Sequence, residues 1–182
     1  MKITTTPISE LIVIEPKVFG DHRGYFMESF NAEWFNKNVN ETNFIQDNES
    51  KSSKGVLRGL HFQTPPFSQA KLVRVIQGEV LDVAVDLRKD SPTYGQHHSI
   101  ILSEENKKHF FVPRGFAHGF VALSETAIFS YKVDNLYSPE HDSGLMWNDT
   151  TLNIDWKLDN DLIQLSDKDK GQGTIDDFKS PF

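Results

Sequence analysis

His61, Gln63, Lys71 and His118 are the residues whose types and spacing most directly suggest chemistry. His61-Phe62-Gln63 sets an imidazole two residues from an amide, with Lys71 a little further on. His118 closes the run Pro113-Arg114-Gly115-Phe116-Ala117-His118, in which Pro and Gly make a tight turn and the strand after it projects the imidazole. A stable metal site usually wants three or four good ligands, and an ammonium beside it repels a divalent ion. An imidazole, by contrast, accepts and returns protons near working pH. The set therefore points to an organic acid–base site that holds no metal. The alternative for two isolated histidines is a structural role. The chain has no Cys, which excludes disulfides, thiolate nucleophiles and thiolate metal sites.

These side chains need strands to carry them. Apolar runs at 11–14, 55–63, 71–76, 80–88, 98–102, 109–112, 116–123 and 127–134 are separated by turn signals such as Pro16, Pro65-Pro66, Gly78, Ser91-Pro92 and Pro113. That rhythm predicts an all-β barrel or sandwich. Leu81, Val83, Val85 and Leu87 share one strand face, with Asp82 and Asp86 on the other; Phe129, Tyr131 and Val133 likewise share a face. Helix is scarce: Asn31 is placed to cap a short helix from Ala32, and Ser166 to open another. With no linker or repeat, residues 1–182 read as a single domain, its core about 10–169 and its polar tail loosely packed at the end.

Composition narrows the function. The chain has 182 residues, 37% hydrophobic and 12% aromatic, enough for a sizeable core. A net charge of -7 argues against a nucleic-acid partner. An anionic ligand is still held if Arg and Lys cluster locally. The first residues lack a signal-peptide core, and no apolar run approaches the roughly 18 residues of a membrane helix, so the expectation is a cytoplasmic protein without membrane contact.

The segment from Pro113 to His118 resembles the second sequence motif of cupins, whose first motif carries His-x-His and a later Glu as metal ligands. Here His61-x-Gln63 and Lys71 stand in those regions. Longer segments are similar to the dTDP-4-dehydrorhamnose 3,5-epimerase family. They include Glu15 to Asp21, Arg23-Gly24-Tyr25-Phe26, Gln46-Asp47-Asn48, Gly55 to Gln63 and Lys71-Leu72-Val73-Arg74. Gly78-Glu79-Val80, Asp82 to Asp86, Pro113 to Phe120 and Trp147-Asn148-Asp149 complete the likeness, which runs from about Glu15 to Asp169.

The resemblance implies a cupin-type β-sandwich or jelly-roll with a few short helices, working as a homodimer that exchanges N-terminal strands. It implies epimerisation of a dTDP-4-keto-6-deoxy sugar at C3 and C5 through an enolate, in dTDP-L-rhamnose biosynthesis and with no cofactor. By it, His61 is the base, Asp169 its partner, Lys71 the enolate stabiliser and Tyr131 the acid. Read locally, Asp169 is a helix-capping carboxylate, Lys71 a solvated lysine and Tyr131 a core aromatic. The resemblance also assigns Arg23 and Arg58 to the diphosphate and Tyr137 to the thymine ring. Glu28, Gln46, Asp47, Asn48, His118, Asp142 and Lys168 line the rest of the site, and the stretch from Arg23 to Glu28 serves the neighbouring subunit. Asp142 stands where the family more often has Glu. Rival readings are a single-centre epimerase, a metal-dependent cupin and a non-catalytic sugar-binding cupin.

Overall fold

A computed structural model describes residues 1–182. Two antiparallel sheets carry the chain. The first contains β1 (Lys2–Thr5), β2 (Ile12–Glu15), β10 (His109–Val112), β7 (Lys71–Gln77), β12 (Thr126–Val133) and β5 (Gln46–Ser53), in that spatial order. The second contains β13 (Asp142–Gly144), β6 (Leu57–Gln63), β11 (Phe116–Ala122), β8 (Glu79–Asp86) and β9 (His97–Ser103). A separate hairpin, β3 (Val18–Asp21) with β4 (Gly24–Met27), stands outside both. The only α-helices are α1 (Ala32–Asn38) and α2 (Asp167–Lys170), capped by Asn31 and Ser166 respectively. This is the all-β sandwich that the spacing of the apolar runs predicts.

The apolar core lies in layers. Val73, Val75, Phe110, Val112 and Phe129 of the first sheet meet Val80, Ala84, Phe116 and Phe120 of the second. The outer face of the second sheet is covered as well, because Leu81, Val83, Val85, Ala117 and Val121 pack under Leu145, Leu152, Trp156 and Ile175. Strand β8 is therefore buried on both faces, and Asp82 and Asp86 are 0% exposed rather than turned to water. Asp86 is satisfied by Arg88, Ser91 and Thr93, whose hydrogen bonds outweigh burial and draw its carboxyl down to about 2.

The C-terminal tail differs from the sequence expectation. Ile175 is buried, and Phe178 and Phe182 pack edge-on against Phe62. The backbone carbonyl of Phe182 accepts from Lys89. Three apolar side chains in an otherwise polar stretch are enough to dock it.

Local backbone geometry brings the two histidines together. Gly115, at φ +88°, makes the turn from β10 into β11. Gly59 and Gly119 then let β6 and β11 cross so closely that a Cβ at Gly59 would lie 2.5 Å from the Gly119 Cα. The β-bulge at this crossing leaves His118 paired directly with His61.

Candidate active site

A cavity opens between the sheets as two adjoining chambers that share His61, Lys71 and Tyr131. One, of about 520 Å³, is floored by Phe120 and Phe129 and also reached by Arg58, His118 and Asp169. The other, of about 480 Å³, is mostly polar and includes Gln46, Asn48, Tyr137, Asp142 and Lys168. His61 projects from the second sheet, whereas Tyr131 and Lys71 project from the first, so the imidazole and the phenol stand on facing walls.

His61 Nε2 is hydrogen-bonded to Asp169 across 108 residues of sequence. Asp169 is 3% exposed, and burial alone would raise its pKa. Hydrogen bonds from His61 and Ser166 outweigh burial and hold the carboxyl below its ordinary range. An ionised carboxylate only accepts, so His61 Nε2 carries the hydrogen and, in the neutral ring, Nδ1 carries the lone pair. The cap of this helix start is Ser166 rather than the Asp169 carboxylate. Ser166 Oγ accepts from the Asp169 amide at 3.2 Å and donates to Asp169 Oδ2 at 2.7 Å. One carboxylate thus ties the helix start to the imidazole.

Lys71 is the cation that both chambers share. Burial brings its pKa down to about 8 with help from Lys168, against the opposing pull of Asp82 and Asp142. The ammonium is therefore charged at neutral pH and close to its titration point. Tyr131 is shifted the other way, because burial raises its phenol despite the nearby Arg58. It keeps its proton at neutral pH and is available as an acid.

Asp82 is the residue that sequence reading missed. It is fully buried and holds His118 Nε2 with both oxygens, at 2.9 and 3.0 Å. The available signal was its own strand face, where the neighbours Val80 and Ala84 are apolar. His118 is 6% exposed and belongs to this buried pair.

The remaining assigned residues divide. Gln46 and Asn48 point inward from β5 and bond to each other at 2.8 Å. Arg58 reaches the cavity wall with its Nε donating to Ser52 at 3.2 Å. Tyr137 donates to Asp142 Oδ2 at 2.8 Å, and Lys168 pairs with the same oxygen. Within the segment 140–143 it is Asp142 that enters the cavity, while His141 bonds Thr64 and packs tilted against Phe67. Asp47 falls outside both chambers: strand alternation turns it to the opposite face, where it binds Lys132 at 2.7 Å. Arg23 and Glu28 also lie outside, on or beside the exposed β3–β4 hairpin, with Arg23 held by Asp21 at 2.6 Å.

The donor set does not suit a metal. No three His, Cys, Asp or Glu side chains are grouped to hold one, and the Gln63 amide is engaged by backbone groups. What the cavity offers is a base with a fixed tautomer, a cation and a phenol.

Fold and site together define a cupin-type sandwich with an acid–base cavity between its sheets. The family model described as dTDP-4-dehydrorhamnose 3,5-epimerase matches residues 5–177, and the chain belongs to that family. The dTDP-4-dehydrorhamnose 3,5-epimerase of Shigella flexneri is 52% identical over 178 residues, covering 97% of both chains. That of Methanothermobacter thermautotrophicus is 56% identical over 167 residues, 91% of this chain and 89% of its own. Among solved structures, the Legionella pneumophila dTDP-6-deoxy-D-glucose-3,5-epimerase in complex with dTDP-4-keto-L-rhamnose superposes with a TM-score of 0.94. It is 48% identical, with 98% of this chain and 94% of that chain covered.

Proposed function

We propose that this chain epimerises dTDP-4-dehydro-6-deoxy-D-glucose at C3 and C5, giving dTDP-4-dehydro-L-rhamnose, by proton transfer among its own side chains. The observation that carries the mechanism is the placement of His61 and Tyr131 on facing sheets with Lys71 in the same cavity. His61 Nδ1 takes the proton from the carbon beside the C4 ketone. The C–H electron pair moves into the ring and onto the C4 oxygen, where the Lys71 ammonium offsets the enolate charge. Tyr131 returns a proton to the carbon from the other face, and exchange with water resets imidazolium and phenolate. Asp169 supports the imidazolium. Electrons and protons balance without an oxidant or a metal.

Arg58 and Lys168 supply the positive charge that a diphosphate needs, and Tyr137 presents an exposed ring for the base. We also infer a homodimer. Val18, Phe19, Tyr25 and Phe26 leave apolar side chains on both faces of the β3–β4 hairpin, 41–68% exposed. A second copy covers it and so receives Arg23 and Glu28 at its site.

The test is the stereochemistry of the product. NMR coupling constants after turnover are expected to show both C3 and C5 inverted, whereas inversion at one centre alone would establish the single-centre reading. The pH profile is a further expectation. Lys71 acts as the cation and its pKa in the free protein is about 8. Hence kcat/KM should fall as pH rises through about 8, with the cationic form active below. An alkaline limb that remained in a Lys71→Met variant would assign it to another group.

A further inference from the structure

We infer that Gln63 is the positioning residue for the base-stacking Tyr137. The inference rests on the nucleotide-sugar reading above. Gln63 and His61 are two apart on β6 and so project to the same face of the sheet. Gln63 is 5% exposed and lines the polar chamber, where its amide is spent on backbone groups. Its Nε2 donates to the Phe67 carbonyl at 2.7 Å and to the Leu136 carbonyl at 3.0 Å. Its Oε1 accepts from the Ser138 amide at 2.6 Å.

The side chain thus grips the backbone on both sides of Tyr137. Leu136 and Tyr137 are themselves 58% and 60% exposed, so this tip has little apolar packing to hold it. The remaining ties are polar: Gln69 donates to the Asn135 carbonyl at 2.8 Å, and Asn135 donates to the Pro66 carbonyl at 3.0 Å. Strand β6 adds a second link, because Gln63 pairs in register with Asp142, the residue that receives the Tyr137 hydroxyl. The strand that carries the catalytic base therefore also sets the base clamp. A ligand holding a pyrimidine against Tyr137 gains affinity from that ordering, since the loop is arranged before the ligand arrives.

The test uses Gln63→Glu, which keeps the shape but sets a carboxylate oxygen against two carbonyls. Binding of dTDP by calorimetry is expected to weaken by roughly tenfold or more, the scale of a buried polar group left without its partner. KM for the sugar nucleotide should rise in step while kcat changes by less than about threefold. In a Tyr137→Ala background the same substitution should change dTDP binding by less than about twofold, because the two act as one unit. An equal loss in both backgrounds, or a fall in kcat at unchanged KM, would overturn the inference. Should the variant not fold, the wild-type protein still decides. The Ser138 amide should exchange with deuterium at least tenfold more slowly than an open loop amide, and exchange at the open rate would overturn the inference. Wild-type turnover measured alongside tests the epimerase reading separately, because dTDP binding needs no catalysis.

Discussion

His61→Ala is expected to abolish solvent exchange at both C3 and C5. A positioned general base contributes roughly 10²–10⁴-fold, and both carbons flank the same ketone, so one base serves both. No other imidazole in the cavity is placed to replace it. His118 is 6% exposed, and its Nε2 is taken by the two oxygens of Asp82. Substitution leaves Asp169 still bonded to Ser166, so the α2 cap survives. Deuterium incorporation followed by NMR reads the outcome at each carbon. Exchange persisting at full rate at either carbon would assign the base elsewhere.

Lys71→Met is expected to lower kcat by roughly 10²–10³-fold, the cost of about 3–4 kcal/mol for removing one donor from a developing oxyanion. KM should change little, since the enolate charge exists only on the way to the transition state. Methionine fills the stem volume, and Asp82 retains His118 as its partner, so no buried carboxylate is left alone. Steady-state kinetics separate this from simple substrate binding. A raised KM at undiminished kcat would make Lys71 a binding residue and remove it from the enolate.

Much of the sandwich was legible because its strands are short and apolar and end at Pro or Gly. Strand β8 shows the limit of that reading. Alternation identified it, but an Asp on the second face looks the same in sequence whether it meets water or a buried histidine. Strand β5 escaped detection for a functional reason. Its inward positions Gln46, Asn48, Ser50 and Ser52 are polar, and the first three line the cavity, so the strand has no apolar period to find. The β3–β4 hairpin escaped because Val18-Phe19 and Tyr25-Phe26 stand side by side, with no apolar alternation to mark a buried face.

The site divides in the same way. His61 and His118 stand out through local motifs, and the structure pairs them in adjacent strands. The bond between His61 and Asp169 spans 108 residues, and only the fold or a family likeness joins them. At Asp169 the local reading holds only in part, because Ser166 caps the amide while the carboxylate takes the Ser166 hydroxyl and the imidazole rather than a helix N–H. Gln63 read as a missing ligand. Its real partners are Phe67, 4 residues on, and Leu136 and Ser138, 73 and 75 residues away.

The central claim is that side chains alone carry the proton off one face of the sugar and return it to the other. The most direct measurement is turnover of dTDP-4-dehydro-6-deoxy-D-glucose in D₂O by chelator-treated, dialysed protein. The expected result is one deuteron at C3 and one at C5 of the inverted product, at a rate that chelation leaves unchanged. Inversion without deuterium, or a rate lost on chelation and restored by a divalent ion, would contradict it.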